Sequence, residues 1–244
     1  MKNISFFLFC FLIVGNTMLQ AQFLPKANTS SSTTQSKTIK NGTILYTMNV
    51  QSDEPSAAML NNSTFEIAFN GQYSKLIGKI MGGVIGGNFI LDSGSKTGLA
   101  LLDMMGQKRA IKMDDSDINK AKSATDGMKT DMIQFVSGTK TIAGHVCKKA
   151  IIKNPDKPGS QVIVYVCENI QPESAGLLDN MLKTFKGFPL GFEIKDGANK
   201  VTIMATEVSN KIPKKSEFDQ AVPKEYELTT MEELENEMGG MIKP

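Results

Sequence analysis

The residues best placed to do chemistry are two cysteines in the second half of the chain. Cys147 lies in a β-rich run, Thr141–Lys153, and Cys167 ends another, Gln161–Cys167, with a Pro/Gly-rich turn from Pro155 to Gly159 between them. Pairing the runs symmetrically about Lys157 sets Cys147 opposite Cys167, Ala150 opposite Val164 and Ile152 opposite Val162, all on one face. Two thiols on adjacent strands of an exported protein favour a disulfide. Such a bond stabilises a fold by about 3 kcal/mol in the chain-entropy account. The alternative is a pair of buried free thiols. The C-x-x-C spacing of a reactive redox dithiol is absent.

Other chemical motifs are weaker. Ile90-Leu91-Asp92-Ser93-Gly94-Ser95 looks like an aspartic-protease signature. That chemistry needs two carboxylates sharing a proton, and a single motif would demand a homodimer; a strand ending in an Asp-Ser-Gly turn explains the same residues. Asp115, Asp117, Asn119 and Asp126 match positions of a calcium loop, but Lys120 stands where the loop requires glycine. A solvated loop with a capped helix accounts for them equally. His145 is the only histidine, so any Ser-His-Asp arrangement would have to use it. Arg109 is the only arginine, which makes bidentate anion clamps scarce. The chain therefore reads as non-enzymatic, with no cofactor implied.

Met81-Gly82-Gly83-Val84-Ile85-Gly86-Gly87 is neither a P-loop nor a dinucleotide fingerprint, because no Gly-Lys-Ser/Thr and no βαβ unit accompanies it. It reads either as a buried hairpin connection or as an adaptable apolar rim. Fifteen methionines in the chain, with their soft side chains, keep the second reading open.

The elements that must position these residues are mostly strands. Ile44, Tyr46, Met48 and Val50 alternate with Leu45, Thr47 and Asn49, the period of a half-buried strand. Asn70-Gly71 joins Thr64–Phe69 to Gln72–Ile77 as a hairpin and sets Glu66 opposite Lys75. Asp196-Gly197 centres another, pairing Glu193 with Lys200, Phe192 with Val201 and Leu190 with Ile203. Further strands are expected at Asn88–Asp92, Thr97–Met105, Lys108–Met113 and Met132–Ser137. Helices are expected at Asp117–Ala124 (capped by Asp115 or Ser116), at Leu177–Phe185 and, as an acidic terminal helix, at Thr230–Met238.

Residues 1–21 read as a secretory signal peptide, with Lys2, the apolar run Phe6–Val14 and a cleavage site after Ala21; Cys10 would leave with it. Residues 22–39 form a Ser/Thr-rich disordered lead-in. No second long apolar run follows, so no transmembrane segment is expected after signal removal. A formal net charge of +2 without a basic cluster argues against a nucleic-acid partner.

Lys140-Thr141-Ile142-Ala143-Gly144 with Cys147-Lys148-Lys149-Ala150, then Gly187-Phe188-Pro189-Leu190, then Phe218, Val222, Pro223 and Tyr226 resemble the landmarks of an uncharacterised family of secreted Gram-negative proteins. That family is similar to the LolA-type lipoprotein-carrier superfamily, and the match covers roughly Lys40 to Tyr226. The resemblance implies an open, strongly curved sheet whose concave cavity holds acyl chains or another hydrophobic ligand. It implies no catalytic residues.

The expected fold is mostly antiparallel β (α+β): an incomplete barrel of about ten strands, with two or three helices covering the concave side. The domain should span residues 40–228, followed by an acidic helix and tail at 229–244. The expected function is that of a periplasmic or secreted protein binding a lipid or acyl chain; the alternative is a cell-envelope interaction protein, with a protein partner and no small ligand. The expected cavity lining is Ile80, Met81, Val84, Ile85, Phe89, Leu101, Met104, Leu178, Met181 and Leu182.

Overall fold

The computed structural model describes residues 38–123, 133–153, 160–234 and 236. The expected signal peptide, nearly all of the expected lead-in, residues 155–159, Asp126, Met132 and the end of the acidic tail lie outside the described residues. The strands are β1 (Gly42–Gln51), β2 (Ser63–Asn70), β3 (Tyr73–Ile80), β4 (Ile85–Asp92), β5 (Thr97–Met104), β6 (Gln107–Met113), β7 (Ile133–Ile142), β8 (His145–Lys153), β9 (Gln161–Cys167), β10 (Phe188–Asp196), β11 (Asn199–Ser209) and β12 (Glu227–Thr229). The α-helices are α1 (Asp115–Ser123) and α2 (Asp179–Phe185), with residues 231–234 also helical and short 3-10 turns between strands. All twelve strands form one open sheet, ordered β12-β6-β5-β4-β3-β2-β1-β11-β10-β9-β8-β7. Its neighbours are antiparallel except β12, which pairs with β6 in parallel and was not foreseen from sequence. Ile39, just before the expected domain start, bridges Ile170.

The β8–β9 register is the expected one: Ala150 faces Val164, Ile152 faces Val162, and Lys148 faces Val166 next to the cysteines. The faces differ from expectation. Residues 147 and 150 are three apart on a strand, so their side chains point to opposite sides. Cys147 and Cys167 join the main core, whereas Ala150, Ile152, Val164 and Val166 face Met181 and Phe185 of α2.

Two hairpins are shifted by two residues. β2 and β3 pair Asn70 with Tyr73, which sets Glu66 opposite Ile77 and Lys75 opposite Ala68, not opposite each other. β10 and β11 pair Asp196 with Asn199, Glu193 with Thr202, and Phe192 with Ile203. In both cases the glycine (Gly71 at φ 57°, Gly197 at φ 59°) opens the two-residue loop, the place a type II′ turn gives it. A two-residue shift keeps every side chain on its face, so hydrophobic patterning cannot detect it. The expected run from Thr141 is broken by Ala143 and Gly144, both at positive φ, and His145 opens the next strand.

α1 starts at Asp115, and its cap is Asp114, not Asp115 or Ser116. The Asp114 carboxylate accepts from the Ser116 and Asp117 amides at 2.8 and 3.0 Å, while Asp117 accepts from the Asp114 amide. This reciprocal capping box makes Asp114 and Asp117 a helix start; Asp126, the last position of the calcium pattern, lies outside the described residues.

The sheet is strongly curved. β2 and β10 lie three strand spacings apart, about 14 Å on a flat sheet, yet the Phe69 and Phe188 rings are centred 5.7 Å apart. Tyr46 donates its hydroxyl to the Pro189 carbonyl at 2.8 Å across the same gap. Ile44, Phe69, Phe188 and Leu190 are fully buried there. α2 lies on this concave side. Leu178 and Leu182, four apart, reach the main core, and Met181 and Phe185, also four apart, reach the β8–β9 surface. Asp179 fixes its start by accepting from the Ala175 amide at 2.6 Å and by pairing with Lys122 of α1 at 2.8 Å. No described helix is long and apolar enough to cross a membrane.

Candidate ligand-binding site

Cross-strand register decides which expected lining residues share the concave face. Ile80 of β3 pairs with Ile85 of β4, which pairs with Met104 of β5, forming one apolar row. One row inward from it, Gly78 pairs with Gly87 and Gly87 with Leu102. The two glycines leave the middle of the face without side chains. A Cβ on Gly78 would stand 3.3 Å from the Phe65 ring, and one on Gly87 3.3 Å from the Phe89 ring. The aromatic rings therefore cover what the glycines leave bare.

Ile80, Met81, Phe89, Leu178 and Leu182 all pack on the main core while remaining partly exposed. Phe89 also reaches the β4–β6 cluster, where Met104 and Leu102 pack, and Leu178 reaches the cluster that buries Met181. Together they form a half-buried apolar band from the β3–β4 turn to α2. Two expected members stand apart from it. Val84 is 48% exposed at the turn. Leu101 points to the opposite face, where Leu99, Ala110, Val222 and Tyr226 surround it. Leu99-Ala100-Leu101-Leu102 is a continuous apolar run with both faces covered, so no alternation marks the concave side. Leu102 is the residue that sequence reasoning missed there. Leu177, which links the main core to the β4–β6 cluster, is the other.

A second concavity of about 380 Å³ lies beyond α2. Ile133 and Phe135 of β7, Phe185 and Thr184 of α2, Lys186 just after it, and the ion pair Lys148–Glu168 line it. No sequence signal marked it, because its walls come from separated segments.

The remaining chemical candidates serve the fold. Burial pushes the Asp92 carboxyl up, but hydrogen bonds from Ser95, Gly94 and Gln72 outweigh it and hold its pKa below the ordinary range. Those donors stand at 3.3, 2.9 and 2.7 Å, so the protease-like motif is a braced turn. His145 Nδ1 lies 3.5 Å from the Asn169 amide, and the His145 carbonyl accepts from Cys147. Cys147 and Cys167 are buried free thiols in this structure. The hydrogen bond to Cys167, with burial, pushes the Cys147 thiol far above its usual range. On β10, burial raises Glu193, but Tyr165 with Lys200 and Lys140 holds it below the usual carboxylate range. Tyr165 donates to it at 2.9 Å. Among the described residues no three His, Cys, Asp or Glu side chains cluster as metal ligands.

No family model and no curated protein matches the chain. Among solved structures it is similar to MucB in complex with MucA(peri), with a TM-score of 0.40 and 10% identity over 78% of this chain and 57% of that one. It is also similar to the lipoprotein LppX of Mycobacterium tuberculosis (TM-score 0.38, 11% identity, 71% of this chain and 89% of that one). A third is a beta-barrel-like protein of a domain of unknown function from Brucella abortus (TM-score 0.33, 5% identity, 71% and 99%). The chain spans less than two thirds of the length of MucB.

The Asp92 brace predicts a pH dependence. A carboxyl whose folded pKa is depressed contributes stability above its unfolded pKa, near 3.9, and loses it as pH falls through the folded value. Denaturant midpoints measured from pH 5 down to pH 2 should fall less steeply in Asp92→Asn than in the parent protein, with the variant less stable at pH 7. Parallel curves would show that the brace is not coupled to folding.

Proposed function

We propose that this chain is an exported, non-catalytic binding protein that takes an acyl chain or similar apolar group against the half-buried band on its concave face. The observation that supports this reading is the convergence of Ile80, Met81, Phe89, Leu178 and Leu182, from the end of β3, the β3–β4 turn, β4, and α2 with the residue before it, on one core while each keeps surface in water. Removing such surface contributes about 25 cal/mol per Å² before association costs. Asp92, in the protease-like motif of the sequence, holds its own turn with its carboxylate. A second reading, an envelope protein that meets a protein partner without a small ligand, is favoured by the packed interior at Ile44, Phe69, Phe188 and Leu190. The first reading needs only the band, which lies outside that packed zone.

Export fits the leader at residues 1–21, and in an oxidising compartment Cys147 and Cys167 would be joined as a disulfide. The mass of the protein purified from its own compartment, denatured and alkylated without reductant, should show no added label on either cysteine. Labelling of both would remove the disulfide from the proposal.

For the ligand, Met81→Asp or Ile85→Asp should weaken a fluorescent fatty-acid probe at least about tenfold, because an ionised carboxylate would have to be desolvated beside the chain. Glu66→Gln, on the other face of β2, should leave binding unchanged. Equal effects from both sets, in variants with unchanged circular dichroism, would displace the site from the band.

A further inference from the structure

We propose that the concavity beyond α2 binds a single-chain anionic amphiphile, its chain against Ile133, Phe135 and Phe185 and its head at Lys186 and Lys148. This rests on the reading of the protein as a binder of apolar groups and adds the class of ligand and a second place for it.

Shape comes first. The concavity measures about 380 Å³, at the small end of the range of roughly 300–1,000 Å³ typical of small-molecule sites, which suits one chain rather than a many-chained lipid. Its apolar walls face each other from two elements. Ile133 and Phe135 project from β7, the last strand of the sheet, on the side that carries their partners Ile152 and Ala150. Phe185 closes from α2 and is itself buried against Ala150 and Val164. Phe135 is 49% exposed, because its neighbour on β8 is the small Ala150 and no described strand lies beyond β7 to cover it. An aromatic ring in that position has apolar area available to a ligand.

Charge gives the head group. Lys148 and Lys186 against Glu168 leave one cation in excess at the mouth. Lys148 is tied to Glu168 at 2.8 Å, and Lys186 makes no ion pair among the described residues. Lys186 occupies the left-handed residue after α2, at φ 54°, where helices usually place glycine. Its amide closes the helix on the Leu182 carbonyl at 2.9 Å, so the turn fixes the backbone from which the ammonium group projects. The Thr184 hydroxyl donates to the Asn180 carbonyl within the helix. Lys186 is therefore the cation left for a ligand, with the Lys148–Glu168 pair beside it, and the net positive charge selects an anion over a cation.

Calorimetric titration of the mature protein with dodecanoate, dodecyl phosphate, dodecyl maltoside and dodecyltrimethylammonium, all below their micelle concentrations, tests this. Both anions should bind at least about tenfold tighter than the cation; whichever anion binds better distinguishes a fatty acid from a lipid phosphate as the source. Lys186→Glu should weaken both anions about tenfold and leave the maltoside within about twofold. Phe135→Ser should weaken all bound species. Both positions are exposed, so the variants are expected to fold; should Phe135→Ser fail to, the charge reversal at Lys186 decides alone. Equal affinity for anion and cation, or anion binding untouched by Lys186→Glu, overturns the proposal. If dodecanoate binding survives both of these variants but is lost in Met81→Asp, the cavity proposal fails and the concave-band reading stands. If no dodecyl compound binds at all, both fail.

Discussion

Tyr46, Phe69, Phe188 and Pro189 meet across the concave side although their strands are two and three places apart in the sheet. A flat sheet of twelve strands would hold them far apart and leave two broad apolar faces in water. Curling the sheet until these residues touch buries one face against itself and gives the protein an inside. Burial, with the nearby Cys147 and Cys167, pushes the Tyr46 hydroxyl well above its ordinary range, so it remains a donor to the Pro189 carbonyl at any physiological pH. The position of α2 follows from the same curvature. Its two i, i+4 pairs wedge between the curled interior and the β8–β9 surface, and this divides the remaining concave side into the half-buried band and the outer cavity.

Much of this architecture was legible in the sequence, for identifiable reasons. Strict alternation at Ile44, Tyr46, Met48 and Val50 marked β1 and its buried face. The β8–β9 register followed from a symmetric pairing about the intervening turn, and α2 from the spacing of Leu178, Met181, Leu182 and Phe185. Errors arose where one sequence signal permits two structures. Hydrophobic pattern fixes a strand's face but not a shift of two residues, so the Gly71 and Gly197 hairpins were set one turn position too early. Apolar residues on both faces of β5 hid the difference between Leu101 and Leu102. The lone strand β12 has only three residues and pairs in parallel, a contact that no local pattern announces.

The grouping of the candidate site was legible in the same uneven way. Residues on the β3–β4 turn and on α2 could be grouped because each segment is apolar on its own terms, and Ile80, Met81, Phe89, Leu178 and Leu182 do reach one core. The outer cavity could not be grouped, since Phe135, Lys148, Glu168 and Lys186 are ordinary residues until the fold brings their segments together. Two residues that first suggested catalysis or metal binding brace local structure: Asp92 its turn, and Asp117, with Asp114, the start of α1. The apolar concave side is what distinguishes this surface.

Methionine methyl resonances offer the most direct view of that side, since the chain has fifteen methionines and they sample both band and periphery. Methyl-labelled protein titrated with dodecanoate should shift the Met81 and Met104 signals together and saturably. Met59 and Met105, which are 56% and 76% exposed and belong to neither the band nor the outer cavity, should stay in place. Shifts confined to Met59 and Met105, or no saturable shift at Met81 and Met104, would contradict an apolar ligand on the concave face.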